Sequence, residues 1–505
     1  MRSRTIRFIA LVLLSGLAFA WRALLLCSQP DPLGTDGYFY AVQVEDLISL
    51  GRLHVPDASW VYGFLALWHA ALDDSVLAVE LGSAALAACC VPAAYLAGRG
   101  LGRFLDARTP NMAGEGAAGW ALALWAAASP TLSHLAVDFP KSLGFVAPAL
   151  LCVWACTSRP QQRWSWIAAG GLGLVAAWAH RAGAGLLALS CLGLAIWWIA
   201  ARPGLRVWVL GAACAALALF ALAAQWLPGL LHPADLARLA GQLDSGLHIP
   251  TPFAYFAIRP THPVQQVELG ACWIALGLAV AAALRRPATR ALAAALGLPL
   301  AVCLLPFWRA DVLDAGYRLA LLAPVPASLL AIVGLPAVRI RRRRWLLPAL
   351  FAAGLCATPL AMLGADARHA PPYGRFRALV ERVPRPLPEL LIAHRGIAML
   401  YDHVTGREAM AWAPEAALDR KRIGRLAWGV RDGEWLALLP QDDAIPQPVR
   451  LDPEYVYLRE DVWEAFLEAA RRDADPELLE RLDDWRNPQR TRPAWLLRGR
   501  ARSTP

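Results

Sequence analysis

Val76-Leu-Ala-Val-Glu-Leu-Gly-Ser-Ala-Ala-Leu-Ala-Ala-Cys-Cys-Val-Pro-Ala-Ala-Tyr-Leu-Ala97 is an apolar run that ends directly in Gly98-Arg-Gly-Leu-Gly-Arg103. Crossing the hydrocarbon of a bilayer takes about 20 apolar residues in a helix, the one single-segment form that satisfies its own backbone polar groups there. Arginines just past such a run mark a cytoplasmic flank. The same pairing of apolar run and arginine cluster recurs along the chain and sets its class.

Outward from this stretch, spans are predicted at Ile6–Leu26, Val76–Ala97, Ala117–His134, Ser142–Ala155, Trp164–Trp178, Ala184–Ile199, Val207–Trp226, Leu269–Leu284, Ala291–Phe307, Leu319–Val338 and Trp345–Leu363. That is about eleven transmembrane helices of roughly the length a bilayer requires. With the N-terminus in the cytoplasm, alternate connections carry Arg99, Arg103 and Arg108; Arg159 and Arg163; Arg202 and Arg206; Arg285, Arg286 and Arg290; and Arg339 with Arg341 to Arg344. The opposite connections hold the acids Asp31, Asp36, Glu45, Asp46, Asp57, Asp73, Asp74, Asp138, Asp311 and Asp314. This asymmetry is the positive-inside pattern, and it predicts a tail on the outer side. Arg2, Arg4 and Arg7 at the start, then the apolar stretch Ile6–Leu26 with Ala18-Phe-Ala20, resemble a signal peptide. The apolar residues that follow favour an uncleaved first helix.

Composition agrees. The 505 residues are 57% hydrophobic and 17% charged, against about 45–50% and 25% in soluble domains. The apolar excess stops at Leu363, so two domains are predicted: a membrane domain over 1–365 and an extracytoplasmic domain over 366–505. The net charge of +10 lies largely in the short arginine clusters, which argues for topology rather than nucleic-acid binding. Ten cysteines fall in or beside apolar segments and read as small buried hydrophobes, not a disulfide framework. In the tail, Leu390–Ala393, Ile397–Tyr401 and Glu434-Trp-Leu-Ala-Leu-Leu supply strand or helix candidates. Asp461–Arg471 and Pro476–Trp485 have helical periodicity, so a small α/β domain is expected. Arginine-rich, lysine-poor usage points to a bacterial chain from a GC-rich genome, hence a multi-pass protein of the cytoplasmic (inner) membrane with a periplasmic tail.

Two outer connections are long. The first, Cys27–Ser75, carries Asp36 ahead of a predicted interfacial helix, Tyr38–Leu50, with Tyr40, Val44, Leu47 and Ile48 on one face and Gln43, Asp46 and Ser49 opposite. Asp36 suits either a helix cap or a carboxylate that takes a proton from an acceptor hydroxyl. The second, Leu227–Val267, is proline-rich near Ile249–Pro263. Its His232, His248 and His262 match no standard metal spacing.

Three further constellations stand out. Asp138-Phe-Pro-Lys141 is predicted to start a span, with Asp138 as cap and Lys141 in the first turn, where the helix dipole disfavours a cation. Lys141 is one of two lysines, with Lys421, among 49 basic residues, which suggests either a need for a compact ammonium there or a surface lysine paired with Asp138. His180-Arg181 puts a proton carrier and a fixed cation at an outer turn. Tyr317-Arg318 opens a span, where a guanidinium either snorkels or pairs with phosphate oxygens. Walker, dinucleotide, His-Glu-x-x-His and zinc-spaced cysteine motifs are absent from the sequence.

Asp36 with Gly37-Tyr-Phe-Tyr, the Asp138–Lys141 block and the Tyr317–Pro324 run together resemble the GT-C superfamily of membrane glycosyltransferases, specifically bacterial relatives of dolichyl-phosphate-mannose protein mannosyltransferases. The resemblance covers roughly Ile6 to Leu363. It implies an all-α GT-C-like membrane domain and sugar transfer from a polyprenyl-phosphate donor to a hydroxyl acceptor (glycan, lipid or protein) on the outer face. It further implies that Asp36 acts at the acceptor, while Asp138, Lys141, His180, Arg181, Tyr317 and Arg318 serve the donor phosphate, with Asp138 orienting Lys141. The sequence departs from the family where many relatives carry an Asp-Glu pair, since Gly37 follows Asp36. A second acid would have to be Glu45 or Asp46. No Asp-x-Asp arrangement for a divalent Mg or Mn is present over residues 1–365, so a metal-independent reaction without cofactors is expected. A transporter or flippase of lipid-linked saccharides is the alternative, and a non-catalytic scaffold a third.

Overall fold

The computed structural model describes residues 2–34, 36–54, 57–107, 115–159, 161–201, 263–304, 315–334, 373–381, 391–406, 409–412, 435–438 and 449–451. The spans predicted at Val207–Trp226 and Trp345–Leu363, the second outer loop through His262, Arg108, Arg202, Arg206, Arg339, Arg341 to Arg344, Asp311, Asp314 and the helices predicted after Asp461 lie outside the described residues. The elements run α1 (Arg2–Leu26), α2 (Gly37–Leu50), α3 (Trp60–Leu72), α4 (Ser75–Asp106), α5 (Glu115–Ala128), α6 (Pro130–Asp138), α7 (Pro140–Ser158), α8 (Arg163–Ala179) and α9 (Arg181–Ala201). Then come α10 (Pro263–Arg285), a 3-10 turn (Pro287–Thr289), α11 (Arg290–Leu304), α12 (Ala315–Leu322), α13 (Pro324–Gly334), α14 (Tyr373–Glu381), β1 (Leu391–His394), α15 (Arg395–Thr405), β2 (Ala409–Trp412), β3 (Trp435–Leu438) and β4 (Val449–Leu451). The chain divides into two compact units, Met1–Leu33 with Gln43–His369, and Gly34–Val42 with Ala370–Pro505.

The described residues of the first unit are mostly helical. Among the described residues, Thr5–Leu26, Ser75–Asp106, Pro140–Ser158 and Gln266–Arg285 are long and apolar enough to cross a membrane. Shorter apolar helices are Trp60–Leu72, Gly183–Ile196, Arg290–Leu304 and Leu319–Gly334. At 1.5 Å per residue α4 is about 48 Å long, and α1, α3, α5 and α7 all pack on it. Glycines allow the approach. A Cβ on Gly98 would lie 2.3 Å from the Ala118 carbonyl oxygen of α5, and one on Gly100 would lie 2.4 Å from Thr157 Oγ1 of α7. Small residues at such crossings let backbones pack closely where lipid offers no hydrophobic drive. Leu13, Leu24, Trp164 and Leu174 are exposed on the outer surface, as lipid-facing residues would be.

The structure corrects the sequence reading at three places in this unit. The first outer connection contains α3, an apolar helix of 13 residues that is too short to register as a span. Ser59 caps its start, accepting from the Val61 N–H, and Asp73 ends it in the left-handed region at φ 55°. Second, α2 is not a one-sided interfacial helix. Gln43, expected on the polar face, is fully buried, while Ile48, expected on the apolar face, is 51% exposed. Burial follows position along α2, with its first half enclosed and its end open. Third, the cysteines divide: Cys90, Cys272 and Cys303 are buried, but Cys27, Cys89 and Cys191 are exposed.

The span predicted at Ala117–His134 is two helices. Ser129 (φ −56°, ψ 118°) leaves the helical region and Pro130 opens α6. Proline disfavours helical geometry in the residue before it and has no N–H to give. The break frees the Ala126 and Ala127 carbonyls and the Thr131 and Leu132 N–H groups. Each finds a partner. Arg22 Nη2 donates to the Ala126 oxygen at 3.0 Å, and Trp21 Nε1 donates to the Ala127 oxygen at 3.2 Å. Glu268 Oε2 accepts from Thr131 N at 2.9 Å, and Ser129 Oγ accepts from Leu132 N at 3.1 Å. Arg22, from α1, also donates from Nε to Ser133 Oγ at 3.0 Å. Glu268, from α10, takes Ser129 Oγ at 2.7 Å and Trp125 Nε1 at 2.9 Å. A cation thus sits at the negative end of α5 and an anion at the positive end of α6, as the helix dipoles favour.

In the second unit, a four-stranded sheet has the order β2-β1-β3-β4, with β1 parallel to β2 and β3, and β4 antiparallel to β3. The parallel β1–β2 pair requires a crossover, which α15 provides. Ala398, Met399, Leu400 and Tyr401 of α15 are buried. Of the two stretches left open by the sequence, the first holds the strand Leu391–His394 and the second, Ile397–Tyr401, is helix.

Replacing the fully buried Arg22 by Met removes its hydrogen bonds to the Ala126 oxygen and Ser133 Oγ and should cost about 2–3 kcal/mol, read as thermal unfolding in detergent. Adding Glu268→Gln should recover part of that loss, whereas strictly additive losses would show that the two charges do not compensate each other. At the other end of α4, Arg99 and Arg103 (2.7 Å) both pair with Glu115. Burial alone would raise the Glu115 carboxyl, but hydrogen bonds from Arg103 and Arg99 outweigh it and hold it below its ordinary value. Its contribution is therefore complete above about pH 5 and lost as pH falls through the lowered folded value. Glu115→Gln should be less stable by about 0.5–1 kcal/mol at neutral pH, and the gap to wild type should close on acidification.

Candidate functional site

Three helix ends meet where α6 gives way to α7. Phe139 (φ −137°, ψ 58°) separates them, and Pro140 takes the first position of α7, where its missing N–H costs nothing. Lys141 then falls in the first turn of α7, as the sequence predicts. Its partner is Asp57, which lies just before α3: Lys141 Nζ and Asp57 Oδ2 form an ion pair. The Tyr62 hydroxyl donates to the same Oδ2 at 3.1 Å, and Lys141 Nζ lies 5.7 Å from the centroid of the Tyr62 ring. Asp57 and the π face of Tyr62 therefore offset the dipole cost of a cation at this helix start.

Local packing brings Asp57 to this place. Ser59, the cap of α3, donates to the Ala179 oxygen at the end of α8 (2.7 Å), and Trp60 Nε1 donates to the Val175 oxygen (3.0 Å). A Cβ on Gly144 would come 2.5 Å from Val61 Cγ2, so only glycine lets α7 meet α3 this closely. Gly183 at the start of α9 is equally constrained, 2.3 Å from the Phe145 ring by the same measure. His180, between α8 and α9, then reaches α7, with Nδ1 3.4 Å from Ser142 Oγ. Asp57, Tyr62, Lys141, Ser142 and His180 form one cluster at one end of the bundle. A phosphate oxygen could take the ammonium protons that Asp57 leaves unused, since lysine carries three donors.

Other predicted residues are placed differently. Asp138 is the last residue of α6, not the cap of α7, and its carboxylate lies 3.5 Å from His134 Nε2 one turn earlier. The expectation that Asp138 orients Lys141 is replaced by the Asp57 pair, because the residue before proline is the one that leaves the helix. Arg181 is the exposed first residue of α9. Tyr317 and Arg318 lie on α12, and their side chains fall outside the described residues. Glu45 accepts from Ser75 Oγ at 2.6 Å and Asp46 faces His54 Nδ1 at 3.0 Å, so both candidate second acids already hold local contacts. Among the described residues, no group of three or more His, Cys, Asp or Glu side chains is arranged to hold a metal ion.

Asp36 belongs to the second unit, whereas Lys141 belongs to the first. It is buried in the turn before α2, and its carbonyl accepts the Tyr40 N–H at 3.1 Å. Its neighbours are fastened on both sides. The Tyr373 hydroxyl donates to the Gly34 oxygen at 3.1 Å, and Arg377 Nη2 donates to the Tyr38 hydroxyl at 3.1 Å. The Tyr38 ring meets Tyr373 edge-on at 4.8 Å and His403 at 5.0 Å. Residues from beyond Ala370 thus immobilise the turn that carries the candidate base.

Sequence reasoning passed over Asp57, Tyr62, Tyr373 and Arg377. Only Asp57 carried a signal, as an outer acid two residues before a Ser-Trp helix start. Arg22 and Glu268 were also missed. A charge inside the apolar run Ile6–Leu26 was the available clue. No protein-family model matches the chain, and no curated protein matches it.

Asp57→Asn removes the charge that holds Lys141 and should destabilise the protein by about 2 kcal/mol. Asp138→Asn should cost less than about 1 kcal/mol. Unfolding midpoints of the two variants check the assignment, and the reverse ranking would return Lys141 to Asp138.

Proposed function

We propose that the chain is a glycosyltransferase of the cytoplasmic membrane that moves a sugar from a polyprenyl-phosphate donor to a hydroxyl acceptor on the outer face. The observation that supports this most is the Lys141 cluster: an ammonium steadied by Asp57 and Tyr62, beside Ser142 and His180, at the end of helices that suit a membrane. A positioned cation at the bilayer surface is what a departing lipid phosphate needs as negative charge grows on it. In this reading Asp36 takes the acceptor proton. The acceptor oxygen then bonds to the anomeric carbon as the bond to phosphate breaks, and polyprenyl phosphate leaves with the configuration inverted. Lys141, with Arg181 and Arg318, stabilises that leaving group. The resemblance to the GT-C superfamily, the eleven-span topology with a cytoplasmic N-terminus, and a periplasmic domain over 366–505 belong to the same proposal. Glu45 and Asp46, both engaged locally, make poor second acids, and no step is routed through a metal.

One observation favours the alternative of a carrier for lipid-linked saccharides. The broken α5–α6 helix with Arg22 and Glu268 around it resembles the discontinuous helices and buried ionisable residues of transporters. Against that, the Ala126 and Ala127 carbonyls and the Thr131 and Leu132 amides are already satisfied within the protein.

The two readings separate in proteoliposomes supplied with polyprenyl-phosphate sugars and a hydroxyl acceptor. Asp36→Asn and Lys141→Ala should each lower transfer by about 100-fold or more. Wild-type rates in both variants would remove the site. Movement of the intact donor between leaflets without transfer, lost in Glu268→Gln, would establish the carrier instead.

A further inference from the structure

At the opposite end of the bundle from Lys141, α4 and α7 end and α8 begins around a cavity of about 500 Å³. Its walls include Arg99, Arg103, Arg159, Gln162, Trp154 and Trp164. Among the described residues three guanidiniums line it, and two of them, Arg99 and Arg103, bond the Glu115 carboxylate. The partner of Arg159 is neutral: Nη1 donates to Gln162 Oε1 at 3.4 Å. Gln162 begins α8 without a side-chain cap bond, so the positive end of that helix also borders the cavity. Among the described residues the lining thus carries three cations and no acid, in a space of the size that small ligands fill.

The apolar rim says what kind of anion fits. Trp164 lines the cavity yet is 78% exposed, and the exposed Trp166, Ile167, Leu174 and Trp178 continue an apolar surface along α8. The cavity opens where this surface meets the charged helix ends, and tryptophan is enriched at just that level of a membrane. We propose that it binds the headgroup of an anionic phospholipid from the leaflet on the Arg99 side. The phosphate would pair with Arg159 and the free edges of Arg99 and Arg103, and the acyl chains would lie along α8. Basic pockets between membrane helices bind acidic headgroups on the same electrostatic ground. The inference is independent of the transferase reading, which concerns the other end of the helices.

The test uses the full chain in neutral detergent, titrated with phosphatidylglycerol, phosphatidylcholine or glycerol 1-phosphate. Retained ligand is read by native mass spectrometry and the unfolding midpoint is followed in parallel. Phosphatidylglycerol should be retained and should raise the midpoint, with phosphatidylcholine much weaker. Arg159→Gln, which leaves the Glu115 contacts intact, should weaken retention about fivefold. Arg163→Gln, which removes the same charge beside the cavity but does not line it, should bind as wild type does. Equal retention of the two lipids, an unchanged Arg159→Gln, or an equal loss in Arg163→Gln would overturn the site. Glycerol 1-phosphate binding as tightly as the lipid would replace the membrane source with a soluble phosphate.

Discussion

A helix that stops inside a bundle of apolar helices leaves carbonyls and amides with no water to take them. At Ser129–Pro130 the protein meets that constraint with side chains from two other helices. Arg22 and Trp21 of α1 cover the carbonyls at the end of α5, while Glu268 of α10 covers an amide at the start of α6. Arg22 and Glu268 each lie against the helix end of opposite sign, and each bonds Ser129, through its carbonyl in one case and its hydroxyl in the other. The arrangement joins α1, α5, α6 and α10, and it sets the path of α6. The end of α6 in turn fixes where α7 begins and where Lys141 stands.

From that origin the first unit has two chemically different ends. At one, Gly144 and Gly183 let α3 and the α8–α9 turn close on α7, and the result is a lysine enclosed by an acid and a tyrosine. At the other, Gly98 and Gly100 bring α5 and α7 against α4, and the arginines of the adjoining turns gather around a cavity. In both cases the glycines determine how near the helices come, and the nearness determines which charges meet. The end with a single guarded ammonium suits chemistry on a phosphate. The end with several guanidiniums and an apolar rim suits steady binding of one. In the second unit, Tyr373 and Arg377 fasten the turn bearing Asp36 from positions more than three hundred residues away, which gives the tail a part in holding that carboxylate.

The sequence by itself determined the helical, membrane-suited character of the first unit, because about 20 apolar residues in a row can satisfy their backbone in lipid in only one way. It also placed Lys141 in the first turn of its helix, through Pro140, and marked that lysine as unusual. It did not reveal α3, whose 13 residues fall below the length of a span. It did not reveal the partner of Lys141 either, since Asp138 is near in sequence while Asp57 is near only after α3 docks on α7 and α8. The break at Ser129 was written in Ser-Pro, but its meaning was not. Whether a proline interrupts a helix depends on what stands ready to take the freed hydrogen bonds, and Arg22 and Glu268 come from helices far away along the chain. Periodicity and composition are local and survive in a string of letters. Ion pairs and helix ends are three-dimensional coincidences, and only the packed chain decides them.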